Sequence, residues 1–103
     1  MKGEGMMEQK GLLLGTNDNV IVVIEDVNTN EVCGIIKKDI ELTAKNNIPF
    51  GHKIALCDLA KGEKVVKYNE IIGIATKDIV KGEHVHTHNL SSIRGRGDLE
   101  GEM

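Results

Sequence analysis

The sequence predicts an all-β domain of short, folded-over hairpins with little helix. Three observations carry this. The apolar residues come in short β-branched runs, turn residues separate the runs, and one turn pattern recurs along the chain. No stretch keeps a 3.6-residue apolar period, so no long amphipathic helix is expected.

Residues 1–15 open polar and glycine-containing and read as a flexible leader. Val20-Ile21-Val22-Val23-Ile24 is too short for a helix and suits a buried strand. Glu25-Asp26-Val27-Asn28-Thr29-Asn30 is turn chemistry. Residues 32–36 suit a second strand, and the alternation Ile40-Glu41-Leu42-Thr43-Ala44 a third. Then comes the repeat. Asp58-Leu59-Ala60-Lys61-Gly62-Glu63 returns as Asp78-Ile79-Val80-Lys81-Gly82-Glu83, and an imperfect copy, Ile48-Pro49-Phe50-Gly51-His52, precedes both. Each copy approaches through apolar residues, turns at a glycine that supplies positive φ, and starts a strand. Residues 65–68 and 71–75 between the copies are strand-like. Residues 93–103 read as a flexible tail, leaving one folded domain over residues 16–92.

A chain of 103 residues forms one domain with a small core. With one Phe, one Tyr and no Trp, that core is aliphatic, and the chain lacks the stacking platforms of single-stranded nucleic-acid binders. The net charge of −3 and the scattered Lys and Arg give no phosphate-binding face, so no nucleic-acid partner is expected. Cys33 and Cys57 are too few for a disulfide framework and are expected as free thiols, Cys57 as a small buried hydrophobe. No apolar run approaches membrane-spanning length, and the opening residues carry no apolar signal segment; a cytoplasmic protein is expected.

Chemistry concentrates in His84-Val85-His86-Thr87-His88-Asn89. In a straight strand the three imidazoles share one face. Neighbouring histidines then lie roughly 7 Å apart and the outer pair roughly 13 Å apart, so a single ion takes at most two of them. His84 and His86 are the candidate metal ligands, with His52 or a partner chain completing the set. Three readings stay open: an exposed polar strand face, a metal or carboxylate site, and a pH-sensitive interface. Lys53, beside His52, is a candidate for binding an acid substrate. Arg94 and Arg96 are weaker candidates for clamping a carboxylate. Asp58 and Asp78 are expected to serve their turns.

Taken together, Gly51-His52-Lys53-Ile54-Ala55-Leu56, the Asp-x-x-Lys-Gly-Glu repeat, Ile72-Gly73-Ile74-Ala75-Thr76 and the histidine segment resemble the N-terminal domain of altronate dehydratase. Galactarate dehydratase and the small subunit of sulfolactate sulfo-lyase are similar. The resemblance covers residues 16–92 and implies a SAF-type domain of β-clip fold. It implies β-elimination from a sugar acid or sulfonated hydroxyacid, with a divalent metal, commonly Fe2+. Carried over by position, His84, His86 and His88 are the catalytic candidates, and His52, Lys53 and Asn89 the substrate-binding candidates. In fused members a large catalytic domain follows, whereas this sequence ends at Met103. Either a separate large subunit completes the enzyme or this is an excised domain; in both cases a large catalytic partner is expected, with no turnover by this chain alone. The competing reading is a non-catalytic ligand-binding or interaction module of the same fold. Short exposed strands also favour a homo-oligomer, since sheet edges tend to be covered.

Overall fold

The computed structural model describes residues 9–92. They form nine strands: β1 (Gln9–Leu12), β2 (Val20–Val23), β3 (Val32–Ile35), β4 (Glu41–Thr43), β5 (Lys53–Ala55), β6 (Lys64–Lys67), β7 (Glu70–Ala75), β8 (His84–Val85) and β9 (Leu90–Ser92). No helix occurs among the described residues, and the all-β expectation is borne out. Six strands pair in the order β4-β3-β1-β2-β5-β8, and three in the order β6-β7-β9. The expected leader is too long: residues 9–12 are β1, parallel to β3 and antiparallel to β2. The rest of its start and the expected tail, with Arg94 and Arg96, lie outside the described residues.

Two apolar cores flank the middle of the larger sheet. Ile21, Val23, Val27, Cys33, Ile35, Leu42, Ile48 and Ile54 fill one. Val20, Ala55, Leu59, Val65, Ala75, Ile79 and Val85 fill the other. β2 and β5 stand between them, sending Ile21 and Ile54 one way and Val20 and Ala55 the other. A strand covered on both faces has no polar side, which is why β2 reads as an unbroken apolar run. The run ends one residue earlier than expected, because Ile24 is exposed.

The turn motif occurs four times, over residues 26–31, 47–52, 58–63 and 78–83. Its second position is buried in every copy (Val27, Ile48, Leu59, Ile79). Its fifth has positive φ in every copy: Asn30, Gly51, Gly62 and Gly82. The copies clasp in pairs through antiparallel bridges, Val27 with Ile48 and Leu59 with Ile79. In each pair the first-position side chain accepts an N–H from the fourth position of its mate. Asp26 accepts from Phe50 and Asn47 from Thr29; Asp58 accepts from Lys81 and Asp78 from Lys61, all at 2.8–2.9 Å. The turn role expected of Asp58 and Asp78 is borne out, and the copy at residues 26–31 reads in the sequence as ordinary turn chemistry.

Candidate functional site

The last position of the motif explains how His52 comes to be free. In three copies it is glutamate, which folds back to accept the third-position N–H: Glu31 from Asn28, Glu63 from Ala60 and Glu83 from Val80, at 2.8–2.9 Å. In the remaining copy the third position is Pro49, which has no N–H to give. A glutamate there would have nothing to cap, and the position carries His52 instead. The His52 main chain is fixed at both ends, its N–H donating to Pro49 (2.9 Å) and its carbonyl accepting from Val23 (3.0 Å). Its ring is left to face the edge of the sheet.

That edge is β8. β5 and β8 pair antiparallel, Lys53 opposite Val85 and Ile54 opposite His84. One further step of this register sets His52 across from His86 and diagonal to His84, the positions from which side chains of one face meet. The rings follow: centroids of His52 and His86 lie 4.1 Å apart, His52 and His84 5.1 Å, His84 and His86 5.5 Å, all stacked. His52 Nδ1 and His84 Nε2 are 2.9 Å apart, so one of the two carries the shared proton. One nitrogen from each of His52, His84 and His86 falls within a 4.8 Å group able to hold a metal ion.

The straight strand expected for the histidines needs correcting. Regular pairing stops at Val85; the chain bends at His86 and turns through residues 87–89. The turn is held by Asn89, which is almost fully buried. Its Oδ1 accepts from the His86 N–H and its Nδ2 donates to the His84 carbonyl, both at 2.9 Å. The bend also changes the spacing: His88 is exposed on the turn, yet its ring lies tilted at 5.2 Å from His84 rather than at the far end of a strand. Both amide atoms of Asn89 are thus engaged within the segment.

Electrostatics favour the neutral forms of His84 and His86. Burial holds His84 down to about 4, with His52, His88, His86 and Lys53 adding repulsion. Burial, then His52, Lys53 and His88, lower His86 as well. Half-buried Lys53 is depressed by burial and by Lys67, and no ion pair compensates it among the described residues. A neutral imidazole offers a lone pair, so His84 near neutral pH is a ready donor. A cation here would meet one ring nitrogen from each of three histidines, and on that donor set the residues fit a metal.

Sequence reasoning missed two supports. Asn46 Oδ1 accepts the His84 N–H at 2.9 Å. Buried Asp18 accepts N–H groups from Gly15, Tyr68 and Asn69, pinning the β6–β7 turn, whose Tyr68 and Asn69 both have positive φ. Neither belongs to the repeat, and a lone Asn or Asp in a loop gives no signal of its long-range partner. Cys57 is exposed rather than buried, its thiol pushed up by burial of its neighbourhood and by Glu63 and Asp58; Cys33 is buried. A surface cavity of about 440 Å³ lined by Glu41, Thr43, Lys45, Asp58 and Lys81 holds none of the histidines. The candidate site is the histidine edge, where His52, His84 and His86 are each partly exposed.

Four clasped clips around two cores, with a histidine group where β5 meets the edge strand, define a β-clip domain of SAF type. The chain belongs to the altronate/galactarate dehydratase SAF domain family, which matches residues 9–93. It is 52% identical over 56 residues to the (2R)-sulfolactate sulfo-lyase subunit alpha of Paracoccus pantotrophus, covering 54% of this chain and 84% of that one. It is 38% identical over 78 residues to the subunit of the same name from Chromohalobacter salexigens, covering 72% and 83%. With the altronate dehydratase of Escherichia coli it shares 40% identity over 72 residues, 70% of this chain and only 14% of that enzyme. Among the described residues no helix is long and apolar enough to cross a membrane.

Proposed function

We propose that this chain is the small component of a two-part hydroxyacid lyase, working at a cleft shared with a large catalytic subunit. The observation that carries this is the three-histidine group on an open sheet edge. It is a ligand set without an enclosure, in a family whose members are lyases and lyase subunits. β-Elimination removes a proton beside a carboxylate and expels a group from the next carbon. It needs a base, charge stabilisation for the enediolate and a dry site. A partner closing over the edge would supply the enclosure, and the altronate dehydratase match, a small part of a long chain, supports such a neighbour.

His52, His84 and His86 would hold a divalent metal, Fe2+ in our reading. When bound, the metal supplies the positive charge that stabilises the developing enediolate. His88, whose ring lies 5.2 Å from that of His84, would move a proton to or from substrate or leaving group. Lys53 leaves β5 on the face opposite His52 and His84, and would add only longer-range positive charge toward an acid anion. Asn89 acts through the turn it holds, presenting His84 and His86 toward the substrate. The substrate is a sugar acid or a sulfonated hydroxyacid. The sulfo-lyase type is favoured, because the chain spans most of the length of the alpha subunits it matches. Two unpaired cysteines suit the reducing cytoplasm.

The test is reconstitution. The chain is mixed with a large subunit of the family, and elimination from sulfolactate, altronate and galactarate is measured with and without added Fe2+. We expect turnover of at least one substrate by the pair and none by either part. Replacing His84, His86 and His88 with Ala is expected to abolish turnover while the pair still co-purifies. Unchanged turnover by the triple variant would favour the non-catalytic module instead.

A further inference from the structure

The three histidines come from two segments far apart in sequence, and something must set the distance between them. One segment is the clip at residues 47–52, which ends in His52. The other is β8 with its turn, which carries His84 and His86. The β5–β8 ladder pairs two residues, Lys53 with Val85 and Ile54 with His84, and just before it the Ala55 N–H donates to the Glu83 carbonyl and the Gly82 N–H to the Ala55 carbonyl, both at 2.9 Å. A ladder that short at a sheet edge frays readily. Asn46 stands immediately before the His52 clip, and its side chain crosses to the other segment. Its Oδ1 accepts the His84 backbone N–H at 2.9 Å. Next to it the Lys45 N–H donates to the Gly82 carbonyl at 2.9 Å. The His84 carbonyl in turn accepts from Asn89 Nδ2. The main chain at His84 is thus clamped by two asparagine side chains. Asn89 acts from within its own segment, whereas Asn46 joins it to the segment that ends in His52.

We propose that Asn46 is a positioning residue for the histidine group. Its side-chain carbonyl locks the peptide of His84 to the His52 clip, so that His84 Nε2 meets His52 Nδ1. The side chain is exposed and touches no reacting group; it acts through His84. Loss of the acceptor removes the side-chain tie on the His84 N–H, and the His84 peptide can then shift at the sheet edge although Gly82 and Glu83 before it stay bonded to Ala55. A shift of a few tenths of an ångström there spoils both the imidazole pair and a shared coordination sphere, whose bond lengths vary little.

The inference has two readouts, and only the second rests on the metal reading. In the full-length, metal-free chain with ¹⁵N-labelled histidine, the ring nitrogens of His52 and His84 report their mutual hydrogen bond at fixed pH. Asn46→Ala is expected to move both signals toward the values of solvent-exposed imidazole. Asn46→Asp, which keeps an acceptor oxygen in place, is expected to leave them near wild type. Asn46→Leu keeps the side-chain volume, removes only the acceptor, and serves if the alanine variant is poorly folded. Asn19→Ala is the structural control: Asn19 ties Lys64 and Val66 by side-chain hydrogen bonds and none to the histidine segment. It is expected to lower stability without moving either ring signal. In the second readout Co2+ is titrated as a spectroscopic probe, and Asn46→Ala is expected to weaken binding about ten-fold, Asn46→Asp much less. Ring signals unchanged in Asn46→Ala and Asn46→Leu, or moved equally in Asn19→Ala, would overturn the positioning role. A wild-type chain that takes up no Co2+ would overturn the metal reading alone and leave the ring signals to decide this one.

Discussion

At the scale of single residues, the site depends on a proline as much as on a histidine. Where the clip presents an N–H, a glutamate caps it; at Pro49 there is none, and the side chain in that place is released toward β8. This was legible only in part. The four histidines stand out in the sequence, and the period-2 spacing correctly places His84 and His86 on one face. The closeness of His52 to both depends on the register of β5 against β8, which no local pattern reports. The same crowding has a consequence for stability. His84 has an ordinary value near 6.5 when exposed and about 4 in the folded chain. Between these values the unfolded state binds more protons than the folded one, so falling pH favours unfolding. The contribution is fully present above about 6.5 and is lost as pH falls toward 4. The lowered His86 has the same sign, as does Glu31, depressed by the Asn28 N–H and by Lys10, in the more acidic part of the range. We expect the urea midpoint of the chelator-treated chain to fall from pH 7 to pH 4.5. His84→Gln should show a shallower fall. Identical pH profiles for the two proteins would refute the assignment to His84.

Among the elements, the clip is the repeating unit, and its glycines are not equivalent. Gly51, Gly62 and Gly82 all sit at φ between 86° and 94°. A Cβ at Gly51 or Gly62 would meet nothing within 4 Å, whereas at Gly82 it would collide with the Thr43 carbonyl. Alanine at Gly51 or Gly62 therefore pays only for the left-handed backbone, about 1–2 kcal/mol. Alanine at Gly82 adds the cost of overpacking, about 1–3 kcal/mol more, and lifts residues 43–45 from β8. Denaturant unfolding of the three variants checks this, and equal losses would contradict the close approach at Thr43. The sequence shows why the clips were readable and where they hid. Asp58 and Asp78 recur with the same Lys-Gly-Glu ending, so their hairpins announce themselves. The copy at residues 26–31 replaces Lys-Gly with Thr29-Asn30, and Asn is the residue that best tolerates positive φ after glycine. Its physics is conserved within the chain while its letters are not. β1 is hidden in the sequence for a related reason: a four-residue strand containing Gly11, where a Cβ would crowd Ile21, has no apolar run to mark it.

For the molecule as a whole, the two clip pairs each close over one core, and the histidine group lies where the halves meet: His52 ends a clip of the first pair and His84 follows a clip of the second. The two segments are otherwise joined by the short β5–β8 ladder and a few single hydrogen bonds. A metal bridging them would tie the halves together only in the folded state, since unfolding separates His52 from His84 and His86. Binding that favours the folded state stabilises it by mass action, about 2.7 kcal/mol at a free-ion concentration one hundred times the dissociation constant. For a domain of this size each kcal/mol raises Tm by roughly 4–8 °C. We therefore expect Tm to rise by roughly 10–20 °C on saturation with Fe2+ under anaerobic conditions, or with Co2+ in its place. Chelator should reverse the rise, and His52→Ala should remove most of it, although this substitution leaves all three histidines of residues 84–88 in place. If the rise instead persists in His52→Ala and vanishes only when His88 is replaced, the ion is held within the turn. The halves would then not be bridged.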